Sequence, residues 1–216
     1  MSFANTRFFI STDVVLFSIR NERLEVLLVA QTDDLWSLPG GHTALTEDLE
    51  ASALRHLQVQ TGIQNVYLEQ LYTFGRPNRD PQQRVVSVAY YALVPSRQLQ
   101  LRALAQDDEL SWFSVRGLPS LALDHDEVVT LANRRLAAKL TYSTIALQFL
   151  PELFALSDLQ RVYETILGEP LDKRNFRKRI LAMDYVEATG ELSRQGKHRP
   201  ARLYRAKHPG KINIIK

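Results

Sequence analysis

Gly41-His42-Thr43-Ala44-Leu45-Thr46-Glu47 and, seven residues later, Arg55-His56-Leu57-Gln58-Val59-Gln60-Thr61-Gly62-Ile63 form the stretch that decides how this chain folds. Locally it reads as a glycine turn followed by a helix over about 47–61. Thr46 is the expected N-cap, and Glu47, Asp48 and Glu50 place carboxylates in the first turn, where they suit the helix dipole. Leu49, Ala53 and Leu57 mark one face, and Gly62 stands where a left-handed C-terminal residue is expected. Trp36-Ser37-Leu38-Pro39-Gly40-Gly41-His42 supplies a turn with two glycines just ahead. Any single glycine or arginine here would fit an ordinary amphipathic helix. The joint spacing carries the information.

Working outward, residues 8–19 and 24–30 read as buried strands joined by a hairpin turn at Asn21-Glu22. Further strands are expected over 66–74 and 84–94, the latter almost continuously apolar, as when both faces are buried. Between them lies a polar loop, Gly75-Arg76-Pro77-Asn78-Arg79-Asp80-Pro81-Gln82-Gln83. Asp107-Asp108-Glu109 reads as a surface turn before a strand containing Trp112-Phe113. Asp124 and Glu127 have the spacing of a capping box opening a helix over about 125–138, so His125 is read as belonging to the helix start, not to a ligand site.

The decisive stretch resembles the Nudix box, in which a glycine, five residues, a glutamate and seven residues precede Arg-Glu-aliphatic-x-Glu-Glu-x-Gly-aliphatic. Gly41, Glu47, Arg55, Leu57, Gly62 and Ile63 fall in register, and Leu38-Pro39-Gly40-Gly41 resembles the family's approach to the box. The glutamates expected at 56, 59 and 60 are His56, Val59 and Gln60. In the family those carboxylates hold the divalent metal that activates water against a pyrophosphate. Magnesium takes hard oxygen ligands, and neither Val59 nor Gln60 supplies a carboxylate. The resemblance therefore implies a domain that binds its ligand without cleaving it, with no catalytic residue, metal site or cofactor. The loop from Phe74 to Pro81, with the strand after it, resembles the ADP-ribose branch of these proteins. That implies ligand contacts at Gly40, Gly41, Arg55, Phe74, Arg76, Arg79 and Asp80. Arg76 and Arg79 can fork onto a pyrophosphate, and Asp80 can accept from a ribose hydroxyl. On side-chain chemistry alone, a solvated loop in which Asp80 caps a turn before Pro81 is the simpler reading; the surrounding motif tips the balance to ligand contact.

The net charge of +3 conceals a division. Up to Ala138 there are twelve Arg and no Lys against sixteen acids, a balance of −4; from Lys139 onward fifteen Lys plus Arg face eight acids, a balance of +7. Such asymmetry points to a polyanion-binding module joined to a different domain, and the expected division is 1–138 and 139–216. Ser157 with Gln160 reads as a capping box for one helix, closed by Gly168 and Pro170. Asp172 reads as the cap of a second helix over 173–184, completing a helix-turn-helix. Phe176, Ile180 and Met183 share one stripe, with Arg174, Arg177 and Lys178 opposite. Basic residues in a first turn oppose the helix dipole, and a phosphate backbone is a reason to keep them there. Lys173, Arg174, Asn175, Arg177 and Lys178 are the expected DNA-facing residues, with Arg174 and Asn175 suited to base edges. Strands over 185–189 and 202–206 flank a loop holding Arg194, Lys197, His198 and Arg199; with Arg202 these form the expected basic wing.

The joint pattern resembles the NrtR family, Nudix-related transcriptional regulators. The fold it implies is α+β: a Nudix α/β/α sandwich with a mixed sheet, then a winged helix-turn-helix. The resemblance further implies a homodimeric bacterial repressor of NAD metabolism genes that binds palindromic double-stranded operator DNA. ADP-ribose or a related nucleotide is the implied effector, with some relatives answering to sugars. A residual hydrolase using Glu47 and Glu109, or a constitutive DNA-binding protein with an idle Nudix scaffold, are the competing readings. The absence of cysteine excludes disulfides and thiolate metal sites, and no run of eighteen apolar residues offers a membrane span. With no signal-peptide layout at Met1–Arg7, a cytoplasmic protein is expected.

Overall fold

The structure, a computed structural model, describes residues 8–32, 34–96, 110–193, 200–210 and 212–214. Its first half is organised on β1 (Phe9–Arg20), which pairs antiparallel with β2 (Arg23–Ala30). Asn21 and Glu22 between them both have positive φ, at 47° and 60°, the mirror-image turn whose twist matches a two-residue hairpin. Two short strands follow, β3 (Trp36–Ser37) and β4 (Gly40–His42), then helix α1 (Leu49–Thr61), β5 (Tyr67–Phe74), β6 (Val85–Leu93), β7 (Leu110–Ser114) and helix α2 (His125–Lys139). The sheet runs β3-β2-β1-β6-β5, with β4 added to β1 and β7 to β2. It is mixed because β1 and β6 run parallel, from Phe9 opposite Val85 to Phe17 opposite Leu93.

That central pair explains the unbroken apolar runs. Val14, Leu16, Val88, Tyr90 and Ala92 face α1, where Ala53 and Leu57 cover them. Val15, Phe17, Ala89, Tyr91 and Leu93 face Val128, Val129, Ala132 and Leu136 of α2. A helix on each face gives the α/β/α sandwich.

The second half begins with a single 3-10 turn (Ile145–Phe149), then β8 (Phe154–Ala155), α3 (Leu156–Leu167), α4 (Lys173–Ala182), β9 (Val186–Ser193) and β10 (Ala201–Ala206). Its sheet is antiparallel in the order β8-β10-β9. Gly168 ends α3 in the left-handed conformation at φ 79°. A helix-turn-helix backed by a three-stranded sheet is a winged helix. The apolar cluster on the α2 side of the first sheet continues without interruption through Ile145, Phe149, Leu159, Ile166, Phe176, Ile180 and Tyr204. α3 packs against both α2 and β2, so the two halves share one core.

The caps differ from the sequence reading. Asp48, not Thr46, caps α1: its Oδ1 accepts the Ala51 amide at 2.8 Å. α3 starts one residue before Ser157, and it is Asp158 that reaches back to the Ala155 amide at 3.0 Å. Gln160 instead spans the helix-turn-helix, donating to the Leu171 carbonyl at 2.9 Å. Asp124 makes no side-chain cap for α2. The two-residue strand β8 is too short to have shown an alternating pattern.

Leu136 is fully buried where the two halves meet. Leu136→Ala should lower the unfolding free energy by about 2–5 kcal/mol. Because the core is shared, urea titrations followed by tryptophan fluorescence, which reports the first half, and by far-ultraviolet circular dichroism should shift together; separate transitions would contradict a shared core.

Candidate functional site

Strand β4 lies antiparallel on the start of β1, with Asp13 opposite Gly40 and Thr12 opposite Gly41. A Cβ at Gly40 would stand 2.4 Å from Asp13 Oδ1 and 2.5 Å from the Thr12 carbonyl, so only glycine fits. A Cβ at Gly41 would meet the His56 ring at 2.6 Å. Helix α1 turns its box residues onto this strand. The Gln60 amide both accepts from the Gly40 N–H at 3.0 Å and donates to the Gly40 carbonyl at 2.8 Å. A glutamate could make only the first of these. His56 Nε2 donates to the His42 carbonyl at 3.0 Å, while Val59 is 76 % exposed. Arg55 forks onto Glu47, with Nε 2.8 Å from Oε2 and Nη2 2.5 Å from Oε1, and also reaches the His42 carbonyl at 3.3 Å. The Arg55 guanidinium, helped by the Ala44 amide, holds the Glu47 carboxyl down at about 2.

The 75–84 loop meets β4 at the same end of the sheet, where Gln83 Nε2 lies 3.4 Å from His42 Nε2. Arg84 pins this loop through the Gly75 carbonyl at 2.9 Å. Arg79 turns inward instead of outward: its side chain is 2 % exposed and grips Asp124 with two bonds, at 2.6 and 3.1 Å, with Asp13 at 3.5 Å. Asp13 also accepts from Ser87 Oγ at 2.5 Å. Arg76 stays exposed and pairs with Glu127. Asp80 accepts the Gln82 amide at 2.8 Å, the turn-capping role. Phe74 is buried at the end of β5, edge-on to Tyr72 with ring centres 5.6 Å apart.

Of the seven expected ligand residues, all gather at this end of the sheet, but Arg79 is an internal tie and the Asp80 carboxylate is engaged by its own loop. Arg55 and Arg76 both keep exposed guanidiniums, and Arg76 is the one whose partner, Glu127, is itself exposed at the rim. The residues that sequence reasoning missed are Asp13, Asp124, His125 and Glu127. Asp124 and Glu127 looked like a capping box, yet each answers an arginine of the loop. His125 Nδ1 accepts the Leu38 amide at 3.1 Å, so in the neutral ring the proton sits on Nε2, 3.7 Å from Asp13 Oδ2. Burial pushes the imidazole below its usual value, against the pull of Asp13, and keeps it neutral at pH 7. The first turn of α2 and its cap thus hold both the Leu38-Pro39-Gly40-Gly41 segment and the 75–84 loop. An aspartate within the apolar run of β1 was the available signal, since aspartate is depleted in strands.

In the winged helix, Asp172 caps α4 by accepting the Asn175 amide at 2.8 Å. Phe176 and Ile180 are buried, leaving Lys173, Arg174, Asn175, Arg177 and Lys178 exposed together. Arg177 also donates to the Tyr204 hydroxyl at 3.4 Å, joining the helix to β10, which carries exposed Arg202. Arg194, Lys197, His198 and Arg199 lie outside the described residues, as does Glu109.

Residues 10–132 match the NUDIX domain model, and 146–206 match that of the NrtR DNA-binding winged helix domain. Over 203 residues the chain is 36% identical to the ADPR responsive transcriptional repressor NtrR of Acinetobacter baylyi, covering 90% of this chain and 80% of that protein. The chain belongs to the NrtR family. Among solved structures of the family, Shewanella oneidensis NrtR complexed with a 27mer DNA superposes with a TM-score of 0.80 at 35% identity, covering 92% of this chain and 93% of that one. The NUDIX domain of Shewanella oneidensis NrtR complexed with ADP ribose gives 0.53 at 33% identity, covering 62% and 91%. The NrtR-type architecture expected from the sequence, a Nudix fold followed by a DNA-binding winged helix, is therefore the observed one. No described helix is long and apolar enough to cross a membrane.

Two tests follow from the ties of this NrtR-family protein. Asp124→Ala leaves the buried Arg79 charge with only the longer Asp13 contact and should cost about 3 kcal/mol of stability in urea unfolding. The Glu47 carboxyl, depressed from 4.5 to about 2, adds stability that is complete above pH 4.5 and lost as pH falls towards 2. Glu47→Gln should therefore flatten the acid limb of melting temperature against pH between those values; an unchanged limb would mean the pair contributes nothing.

Proposed function

We propose that this chain is a homodimeric, cytoplasmic repressor of NAD metabolism genes. In this reading residues 1–138 bind ADP-ribose without hydrolysing it, and residues 139–216 bind operator DNA less tightly when they do. The ligand contacts are Gly40, Gly41, Arg55, Phe74 and Arg76, with Arg79 and Asp80 shaping the loop from within. ADP-ribose is favoured because the Acinetobacter relative is named for that response and the Shewanella domain was crystallised with it. Binding without hydrolysis follows from the box chemistry. His56, Val59 and Gln60 offer no carboxylate, Gln60 is occupied with Gly40, and Glu47 is neutralised by Arg55.

One observation carries the regulatory part: the loop carrying Arg76 and the Leu38–Gly41 segment are both tied to the start of α2, whose far end is built into the shared core. A ligand shifts an equilibrium only through unequal affinity for its states. A pyrophosphate at Arg76 competes with Glu127 for the same guanidinium, so ligand occupancy weakens this outer one of the α2 ties. That competition is the required inequality. Loss of that outer tie, with the Arg79–Asp124 and His125–Leu38 ties kept, lets α2 tilt about its held start, and with it the junction at 139–156 and the winged helix, altering the spacing on which a dimer's hold on two half-sites depends.

The test is fluorescence anisotropy on the chain's own upstream DNA at fixed salt, with and without ADP-ribose. We expect ADP-ribose to weaken binding about tenfold or more, which corresponds to about 1.4 kcal/mol of coupling. Equal affinity with saturating ADP-ribose would refute the reading and direct the search to sugars or other nucleotides. In Glu127→Ala, ADP-ribose should bind at least as tightly by calorimetry while its effect on DNA shrinks. AMP release with magnesium at a rate typical of hydrolases would overturn the non-catalytic assignment.

A further inference from the structure

Nine arginines are described between residues 8 and 138, and four of them pair with carboxylates: Arg20, Arg55, Arg76 and Arg79. Arg84 is engaged by backbone carbonyls. Among the described residues, the side chains of Arg23, Arg116, Arg134 and Arg135 have neither a hydrogen bond nor an ion pair. Three of those four, Arg23, Arg116 and Arg134, line a single cleft of about 970 Å³. Its walls are the β1–β2 turn, the segment after β7 and the outer side of α2 on one side, and the end of α3 with the 167–170 turn on the other.

An acidic half of the molecule thus gathers its spare cations where it borders the helix-turn-helix. The acids nearby offset them only in part. Glu22 lies 3.9 Å from Arg161, and the Glu164 carboxylate accepts from the Leu171 amide and from Gln160, both at 2.9 Å, which leaves Glu169. Arg116 reaches the turn itself: a Cβ on Gly168 would stand 1.8 Å from its Nη2. A cation at the C-terminus of α3 suits that helix's dipole, which accounts for Arg116 but not for Arg23 or Arg134. The turn continues within five residues into Lys173 and Arg174 of α4.

We infer that this cleft edge is a second DNA contact, in which arginines of the Nudix-type half hold backbone phosphates flanking the groove that α4 enters. The inference rests on the reading of α4 as the DNA-facing helix. Arginine's fork suits phosphate oxygens, and such contacts fix register without reading sequence. The partner is the operator duplex itself, extended beyond the bases that the winged helix reaches. A DNA molecule gripped by both halves also senses their relative placement directly.

The experiment measures operator affinity against salt for the full chain and for Arg23→Gln/Arg134→Gln, which spares Arg116 and its helix. Removing one phosphate-binding arginine lowers the slope of log K against log salt by about 0.9, so the double variant should show a slope shallower by about 1.8 per protomer. Arg23→Lys/Arg134→Lys should keep the original slope, and melting temperatures of all three proteins should agree. An unchanged slope in the glutamine variant overturns the inference, as does a lysine variant that behaves like the glutamine one. Failure of the unaltered protein to bind any duplex would overturn both this and the functional reading beneath it.

Discussion

The Arg79 guanidinium, buried between Asp124 and Asp13, is the interaction on which the rest of the structure leans. An isolated charge at that depth would cost several kcal/mol, so the two carboxylates are a condition of its being there. They come from β1 and from the start of α2, while the arginine comes from the 75–84 loop. Three segments far apart in sequence are thereby fixed against one another at one end of the sheet. His125 extends the same cluster to the Leu38 amide, and the exposed Arg76–Glu127 pair lies beside it. The interior ties hold the frame, and the outer pair is the one that solvent and ligands can reach.

The altered Nudix box follows the same logic of reuse. Positions that hold metal in hydrolases here hold backbone: Gln60 clasps both polar groups of Gly40, and His56 donates to His42. A neutral amide both donates and accepts, which a carboxylate facing that strand cannot do. With Gln60 in that position the glycine segment is held through both of its polar groups.

Much of this was legible beforehand because it depends on local rules. The Asn21-Glu22 turn, the glycines at 40 and 41, the amphipathic α1 and the Gly168 end of α3 each follow from neighbours in sequence. The central β1 and β6 pair showed itself in continuous apolar runs. The failures are of one kind. Thr46, Ser157 and the Asp124–Glu127 spacing all satisfied a helix-start pattern, but a competing partner took the side chain or a neighbour capped instead. Arg79 likewise looked like a ligand fork, because its motif gives no hint that a carboxylate 45 residues later will claim it. Side chains with long-range partners are where local reading stops.

The uninterrupted core has a consequence for the inheritance of such proteins. Sensor and reader are often pictured as units that recombination can exchange. Here separation would strip cover from Leu136, Leu140 and Ile145, all essentially buried. At about 1.5–3 kcal/mol for each such side chain, exposing three uses up much of the roughly 5–15 kcal/mol by which folded chains are stable. A foreign winged helix would have to match that surface before it could gain any new specificity. Changes on α2 and α3 are therefore expected to be inherited together, and new operators to arise by substitution on α4 within an intact partnership.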